Sequence, residues 1–303
     1  MLRWRILLGT LLIAFLAALA WADHQAPIPG LWLAPVLVAF CLLGTAELLR
    51  LLQSGGMQPL AWVVYVGNLL ILASNWGAWA CRSPGPSTPG SAASVPANFL
   101  TPTEWILLAF SVGLLLAFLG EMSRYRGAGG AVRNLAASVF CLAYLGVLLS
   151  FAVQLRLTWG VGSLAALLIV VKMGDTGAYI AGHMFGRRQL APLLSPNKTI
   201  EGAIGAVVFS CGASWASFRW VVPHAASPTA PAASGWGWIV FGLLIAAAGM
   251  LGDLAESLIK RDVQTKDSGQ WIPGFGGALD MLDSVLLAAP AGYLFWACGL
   301  ATR

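Results

Sequence analysis

The stretch "GDLAESLIKRDVQTKDSGQWIPGFGGALDMLDS", residues 252–284, sets a crowd of charged side chains between two long apolar runs. Asp253, Glu256, Lys260, Arg261, Asp262, Lys266, Asp267, Asp280 and Asp283 all fall within it, in a 303-residue chain that is only 10% charged and 58% hydrophobic. Soluble domains typically carry about 25% charged residues. The runs on either side, near 234–255 and 278–300, each approach the roughly 20 apolar residues that a helix needs to cross a bilayer. The stretch therefore reads as a polar loop between two membrane spans.

Working outward, the same alternation recurs along the chain. Further apolar segments lie near 4–22, 30–52, 58–80, 104–120, 134–155, 160–182 and 201–222. The expectation is an all-α, polytopic integral membrane protein with about nine transmembrane helices. The first segment also has a signal peptide's form, with Arg3 and Arg5 ahead of an apolar run ending in Ala18 and Ala20. Its length and the spans that follow favour a first transmembrane helix. Residues 1–155 would hold spans one to five and 156–303 a C-terminal catalytic region of spans six to nine. Without a soluble stretch large enough to fold alone, the two are read as one integrated membrane domain.

The basic residues orient this arrangement. With the N-terminus inside, Arg3, Arg5, Arg50, Arg124, Arg126, Arg133, Arg187, Arg188, Lys198, Lys260, Arg261 and Lys266 fall in inner loops. Arg82, Arg156, Arg219 and Arg303 fall outside, and Lys172 lies within a span. Such a division is the positive-inside signature, so the net charge of +5 speaks for membrane topology rather than for nucleic acid. The expected location is a bacterial-type inner membrane with a cytoplasmic N-terminus. The five cysteines are scattered singly with no CxxC pair, which offers neither a disulfide framework nor a zinc site. The connectors 81–104 and 224–235 are rich in Pro and Ser and offer no chemistry.

Acids gather on the inner side too, although acidic residues contribute little to topology. Asp175, in "KMGDTGAYIAG", is expected inside the bilayer, Asp253 at the inner end of span eight, and Asp280 with Asp283 at the opening of span nine. A spacing of three puts Asp280 and Asp283 on one helix face, and Asp253 with Glu256 likewise. Acids within a membrane are costly and by default mark a site. Their mutual repulsion calls for a cation, and carboxylate oxygens suit Mg²⁺, which binds one or two carboxylates together with substrate phosphates. The plainer reading has each acid paired with a nearby base, such as Asp253 with Lys260. In "LSPNKTIEG", Lys198 and Thr199 sit where span seven begins, with Ser195 or Asn197 as the expected cap. A helix start with a lysine and a hydroxyl suits phosphate. Pro273, Gly274, Gly276 and Gly277 form a turn whose backbone can approach a ligand closely. Together these features point to phosphoryl or nucleotidyl transfer onto a lipid. No serine or cysteine nucleophile arrangement is visible, and His24, His183 and His224 are scattered.

The opening stretch resembles the signature of the phosphatidate cytidylyltransferase (CDP-diacylglycerol synthase) family. Ser257, Lys260, Arg261, Lys266, Asp267, Gly269, Pro273, Gly274, Gly276, Gly277, Asp280 and Asp283 stand at the signature's positions, and "DTGAY", "LAPLLSPNKTIEG" and "LGDLAES" resemble further family segments. The likeness is close over about 172–290; before that it lies in the hydrophobic plan and in Glu47. Two positions depart: Phe275 replaces the family's usual His, and Met281 its usual Arg. The resemblance implies CTP and phosphatidic acid as substrates, CDP-diacylglycerol and pyrophosphate as products, and Mg²⁺ as cofactor, with room for a second metal ion and for a homodimer. Asp175, Asp253, Asp280 and Asp283 would hold metal, with the last three and Lys260 in the catalytic set. Lys198, Thr199, Arg261, Lys266, Asp267, Gly276 and Gly277 would contact substrate. Rival readings are a CTP-dependent lipid kinase or related lipid nucleotidyltransferase, a homologue impaired through Phe275 and Met281, and an ion-coupled transporter.

Overall fold

The computed structural model describes residues 2–80, 100–127, 129–225, 235–265, 269 and 276–300. Lys266, Asp267, Pro273, Gly274 and Phe275, and most of both connectors, lie outside them. The chain is nearly all helix. In order come α1 (Leu2–Gln25), α2 (Ala34–Ser54), α3 (Ala61–Ser74), α4 (Pro102–Arg124), α5 (Ala131–Trp159), α6 (Val161–Phe185), the strands β1 (Gln189–Ala191) and β2 (Ser195–Thr199), then α7 (Ile200–Ala225), α8 (Gly237–Asp262) and α9 (Ala278–Ala297).

Among the described residues, seven helices are long and apolar enough to cross a membrane: α2 and α4 to α9. The protein is an integral membrane protein, and the expected count of nine is approximate. The segment expected as span three departs most. Its helix α3 has 14 residues, about 21 Å at 1.5 Å per residue, short of the roughly 30 Å hydrocarbon core. A polar knot ends it. Asn75 donates to the carbonyls of Ile71 and Leu72 and to Ser150 Oγ, each at 3.0 Å, and accepts from Gln154 Nε2 at 2.9 Å. Buried amides this well partnered are stable where they sit, so the helix breaks here and resumes as a single turn at Gly77–Ala80.

Two apolar clusters build the interior. One joins α5 to α9, with Leu155, Leu167, Phe241, Ile245, Phe295 and Trp296 at its centre. The other joins α2, α3, α5 and α9 through Leu48, Val64, Cys141, Leu145, Leu279 and Leu286. Helices α5 and α9 contribute to both, and they are the most buried of the spans. Large apolar side chains such as Leu107, Leu115, Phe118 and Leu119 on α4 point outward, as they must where the surrounding solvent is lipid. At the end of the bundle away from the polar loops, fully buried Asp23 accepts from Arg156 Nε at 2.5 Å and from the Trp32 amide at 3.0 Å, clasping the α1–α2 turn to α5.

Helices α6 and α7 approach through small residues. A Cβ on Gly177 would lie 2.6 Å from the Gly205 carbonyl oxygen, and one on Gly174 would lie 2.6 Å from Ser210 Oγ. In lipid, where apolar burial supplies little drive between helices, such close backbone packing does the work. The β1–β2 hairpin between them, with Gln189 opposite Thr199 and Ala191 opposite Ser195, is an addition to the expected all-helical plan.

Candidate active site

Four helices and the hairpin bring their polar residues to one end of the bundle. Thr199, at the end of β2, caps α7: its side chain accepts from the Gly202 amide at 3.1 Å. The expected caps, Ser195 and Asn197, instead lie within β2. Glu201, in the first turn of α7, accepts from the amides of Arg187 and Arg188 at 3.0 and 3.3 Å and so closes the base of the hairpin. This frame holds Lys198 toward α8, where its Nζ lies 2.6 Å from Asp253 Oδ2. The plainer expectation paired Asp253 with Lys260. In the structure Lys260 turns the other way, to Glu256 at 3.0 Å and to Asp280.

Helix α9 supplies the remaining acids. Asp280 stands three residues after Gly277 and accepts from its amide at 2.7 Å, a carboxylate at a helix N-terminus where the dipole favours it. Gly276 has φ +86°, and a Cβ there would sit 2.5 Å from the Asp280 carboxylate; glycine is required on both counts. Asp283, only 8% exposed, accepts from the Ser284 amide at 2.5 Å and is in no ion pair among the described residues. Ser284 Oγ donates to Asp175 Oδ1 at 3.3 Å, joining α9 to α6, while Asp175 Oδ2 meets Lys172 Nζ at 3.0 Å. Gly252 lets α8 come this near α9, for a Cβ there would run into the Asp283 carbonyl.

The result is one cavity of about 290 Å³ lined by Asp175, Asp253, Asp280, Asp283, Lys198 and Thr199, with apolar walls including Val171, Ala206, Ile245 and Met250. Acids that lie far apart in sequence thus share one space. Gly276 and Gly277 hold the entry to α9. Lys260 and Arg261 do not line the cavity. Lys260 fixes Asp280 from behind, and Arg261 Nε donates to the Leu194 carbonyl at 3.2 Å, tying α8 to the hairpin. Met281 is half-buried on α9 and away from the cavity lining.

Several contributors escaped the sequence reading. Glu256 is buried as the counterion of Lys260, Ser284 bridges two helices, and Lys172 pairs with Asp175. Glu47 is fully buried on α2, and its carboxylate accepts from the amides of Ala278 and Leu279 at 2.9 and 2.8 Å. It therefore pins the N-terminus of α9, and a Cβ on Gly269 would collide with it. Its sequence signals were an acid at the inner end of an apolar run and its place in the family resemblance, neither of which showed what it holds.

The donor set can be tested against a hard divalent cation. Among the described residues no group of three acids, histidines or cysteines is drawn together tightly enough to form a ready-made cage. The charge balance nevertheless favours a cation. Among the described residues, Asp175, Asp253, Glu256, Asp280 and Asp283 are joined by Lys172, Lys198 and Lys260, which leaves negative charge in excess there. Oxygen donors with such an excess fit Mg²⁺, a cation that completes its shell with substrate phosphates and water rather than with protein alone.

A sequence profile of the cytidylyltransferase family matches residues 3–298. The chain is 41% identical over 139 residues to the phosphatidate cytidylyltransferase of Brucella suis, covering 46% of this chain and 48% of that protein. It is 35% identical over 156 residues to the phosphatidate cytidylyltransferase of Staphylococcus saprophyticus and 37% over 158 residues to that of Staphylococcus aureus, in both cases over 50% of this chain and 56% of the relative. These matches span about half the length of the curated relatives.

Proposed function

This chain belongs to the cytidylyltransferase family, and we propose that it transfers CMP from CTP to phosphatidic acid, giving CDP-diacylglycerol and pyrophosphate. The observation that carries this reading is the single cavity in which Asp175, Asp253, Asp280, Asp283 and Lys198 meet at one end of a membrane bundle. A water-soluble nucleotide and a membrane lipid can meet only at such a face. The names of the relatives point to the same pair of substrates.

The lipid phosphate is its own nucleophile. A phosphate monoester has a second pKa near 6, so at pH 7 it attacks the α-phosphorus of CTP without a general base. The bond from that phosphorus to the pyrophosphate oxygen breaks as the new P–O bond forms. What remains for the protein is alignment and charge stabilisation. Lys198 would exchange Asp253 for a phosphate oxygen and hold the triphosphate, assisted by the Thr199 hydroxyl. Arg261 would keep the hairpin at the right height, and Lys266 and Asp267, which stand at the family signature's positions, would contact substrate. Lys260 and the Gly277 amide hold Asp280 in place, and Ser284 does the same for Asp175. Asp175, Asp253, Asp280 and Asp283 would hold Mg²⁺; when bound it supplies neutralisation of the triphosphate and of the leaving pyrophosphate. The same reading has the site and the N-terminus on the cytoplasmic side of a bacterial-type inner membrane, supported by the division of basic residues.

The test is a turnover assay of the purified protein with phosphatidic acid, Mg²⁺ and CTP labelled either in the cytidine or in the γ-phosphate. Cytidine label should enter the lipid and γ-phosphate label should not; the reverse would indicate a lipid kinase. Chelation should stop the reaction and added Mg²⁺ restore it. Asp280→Asn should lower turnover on the order of 10²-fold or more, as removal of a charge stabiliser does; equal rates would defeat the assignment.

A further inference from the structure

Leu193 stands at the tip of the β1–β2 hairpin with 92% of its surface exposed, whereas Leu190 on β1 lines the cavity. An isolated exposed leucine needs no explanation, but Leu193 continues a surface. On α6, Ile180 and Met184 point outward one turn apart, followed by Phe185. On α7, Ile200, Ile204 and Val208 do the same at successive turns. Both helices are membrane spans, so these stripes face lipid, and the hairpin joins the end of one to the start of the other. At its base the side chains of Arg187 and Arg188 are exposed, and neither is in an ion pair among the described residues. Their amides are held by Glu201, which fixes the backbone and leaves the guanidinium groups facing outward.

Helix α6 has 25 residues, about 37 Å at 1.5 Å per residue, longer than the roughly 30 Å apolar core. Its last turns, and the hairpin that follows, therefore lie at headgroup level. Apolar side chains flanked by arginines at that depth are the pattern of an interfacial anchor. The geometry points to such a role for the hairpin. Leu193 seats among the upper acyl chains of the adjoining leaflet, and Arg187 and Arg188 meet anionic phospholipid headgroups there. The consequence reaches the cavity, because the same hairpin carries Lys198 and Thr199. Its anchored tip sets the height at which Lys198 meets Asp253. The occupant is the bulk leaflet and not the substrate, so the inference does not depend on the proposed reaction.

The full-length protein can be tested with an environment-sensitive fluorophore on Leu193→Cys, in a background where Cys81, Cys211 and Cys298 are serine and the buried thiols of Cys41 and Cys141 remain. Gln53→Cys, at an exposed position on the polar end of α2, serves as the control. Both would be reconstituted in vesicles of neutral phosphatidylcholine, or with added anionic phosphatidylglycerol, containing a phospholipid with a nitroxide near the top of its acyl chain. The label at 193 should be quenched at least about threefold more strongly than the control, as expected for a residue seated in the interface. Anionic lipid should strengthen the quenching, and Arg187→Gln with Arg188→Gln should remove that increment. Quenching no greater than at position 53 in either lipid would overturn the anchor. Quenching indifferent to anionic lipid would overturn the role of the two arginines. The readout needs no turnover, so an inactive protein would leave this test intact.

Discussion

Asp283 is buried, faces the cavity and is in no ion pair among the described residues. An uncompensated carboxylate in such a place destabilises the fold, and sites commonly carry this kind of cost. Asp283→Asn should therefore lower turnover by about 10²-fold while leaving the melting temperature of the purified protein unchanged or higher. A parallel loss of both would mean that the residue is structural. Glu47 should behave in the opposite sense. Glu47→Gln replaces one carboxylate oxygen with a donor that faces an amide hydrogen, at a cost of about 1–3 kcal/mol, so stability should fall measurably on thermal unfolding and turnover with it. At this scale the sequence was half legible. Four aspartates stood out because they interrupt apolar runs near helix ends. Their partners did not, because Lys198 reaches Asp253 across 55 positions of sequence through a hairpin whose path no local pattern encodes. Glu256 and Lys260 stand one turn apart in the sequence, but neither their pairing nor the choice of Lys260 to hold Asp280 rather than Asp253 was visible.

Among the elements, α8 and α9 meet at Gly252, where a Cβ would strike the Asp283 carbonyl, whereas nothing lies near a Cβ built on Gly212 of α7. Gly252→Ala should push the two helices apart and lower activity at least about tenfold, since small misplacements of reacting groups are expensive. Gly212→Ala should leave activity intact and raise stability slightly, as removing a glycine from a helix gains about 0.5–1 kcal/mol. The helices themselves were easily read, because hydropathy over some 20 residues is a strong signal. Helix α3 was read too long, since its apolar run continues past the Asn75 knot and composition does not show where a side chain finds its partners. The hairpin was read as a polar loop. Its strands are three and five residues long, the second contains Pro196, and neither alternates cleanly, so pattern could not reveal it.

At the scale of the whole molecule, the proposed orientation can be tested directly. With the N-terminus and site on the cytoplasmic side, a cysteine placed at Gln53 should react with a membrane-impermeant maleimide only after the cells are opened. One at Pro27, in the exposed turn after α1, should react in intact spheroplasts. The opposite result at both positions would invert the protein and put the site away from cytoplasmic nucleotide. The general plan was legible at this scale because lipid imposes it: every segment must satisfy its own backbone hydrogen bonds, which leaves little besides helices to choose from. How α9 serves both apolar clusters was not, since that depends on pairings between distant segments.

The hold of Glu47 on α9 has a meaning for the order in which the protein is made. Its acceptor oxygens are finished 231 residues before the first amide they bind, an interval of about 12–46 s at 5–20 residues per second of synthesis. Until then the carboxylate must be kept beside water or the insertion machinery. Helix α9, made long afterwards, is the span that releases it from that wait, so a product truncated before it carries the early anchor without the pocket it exists to complete.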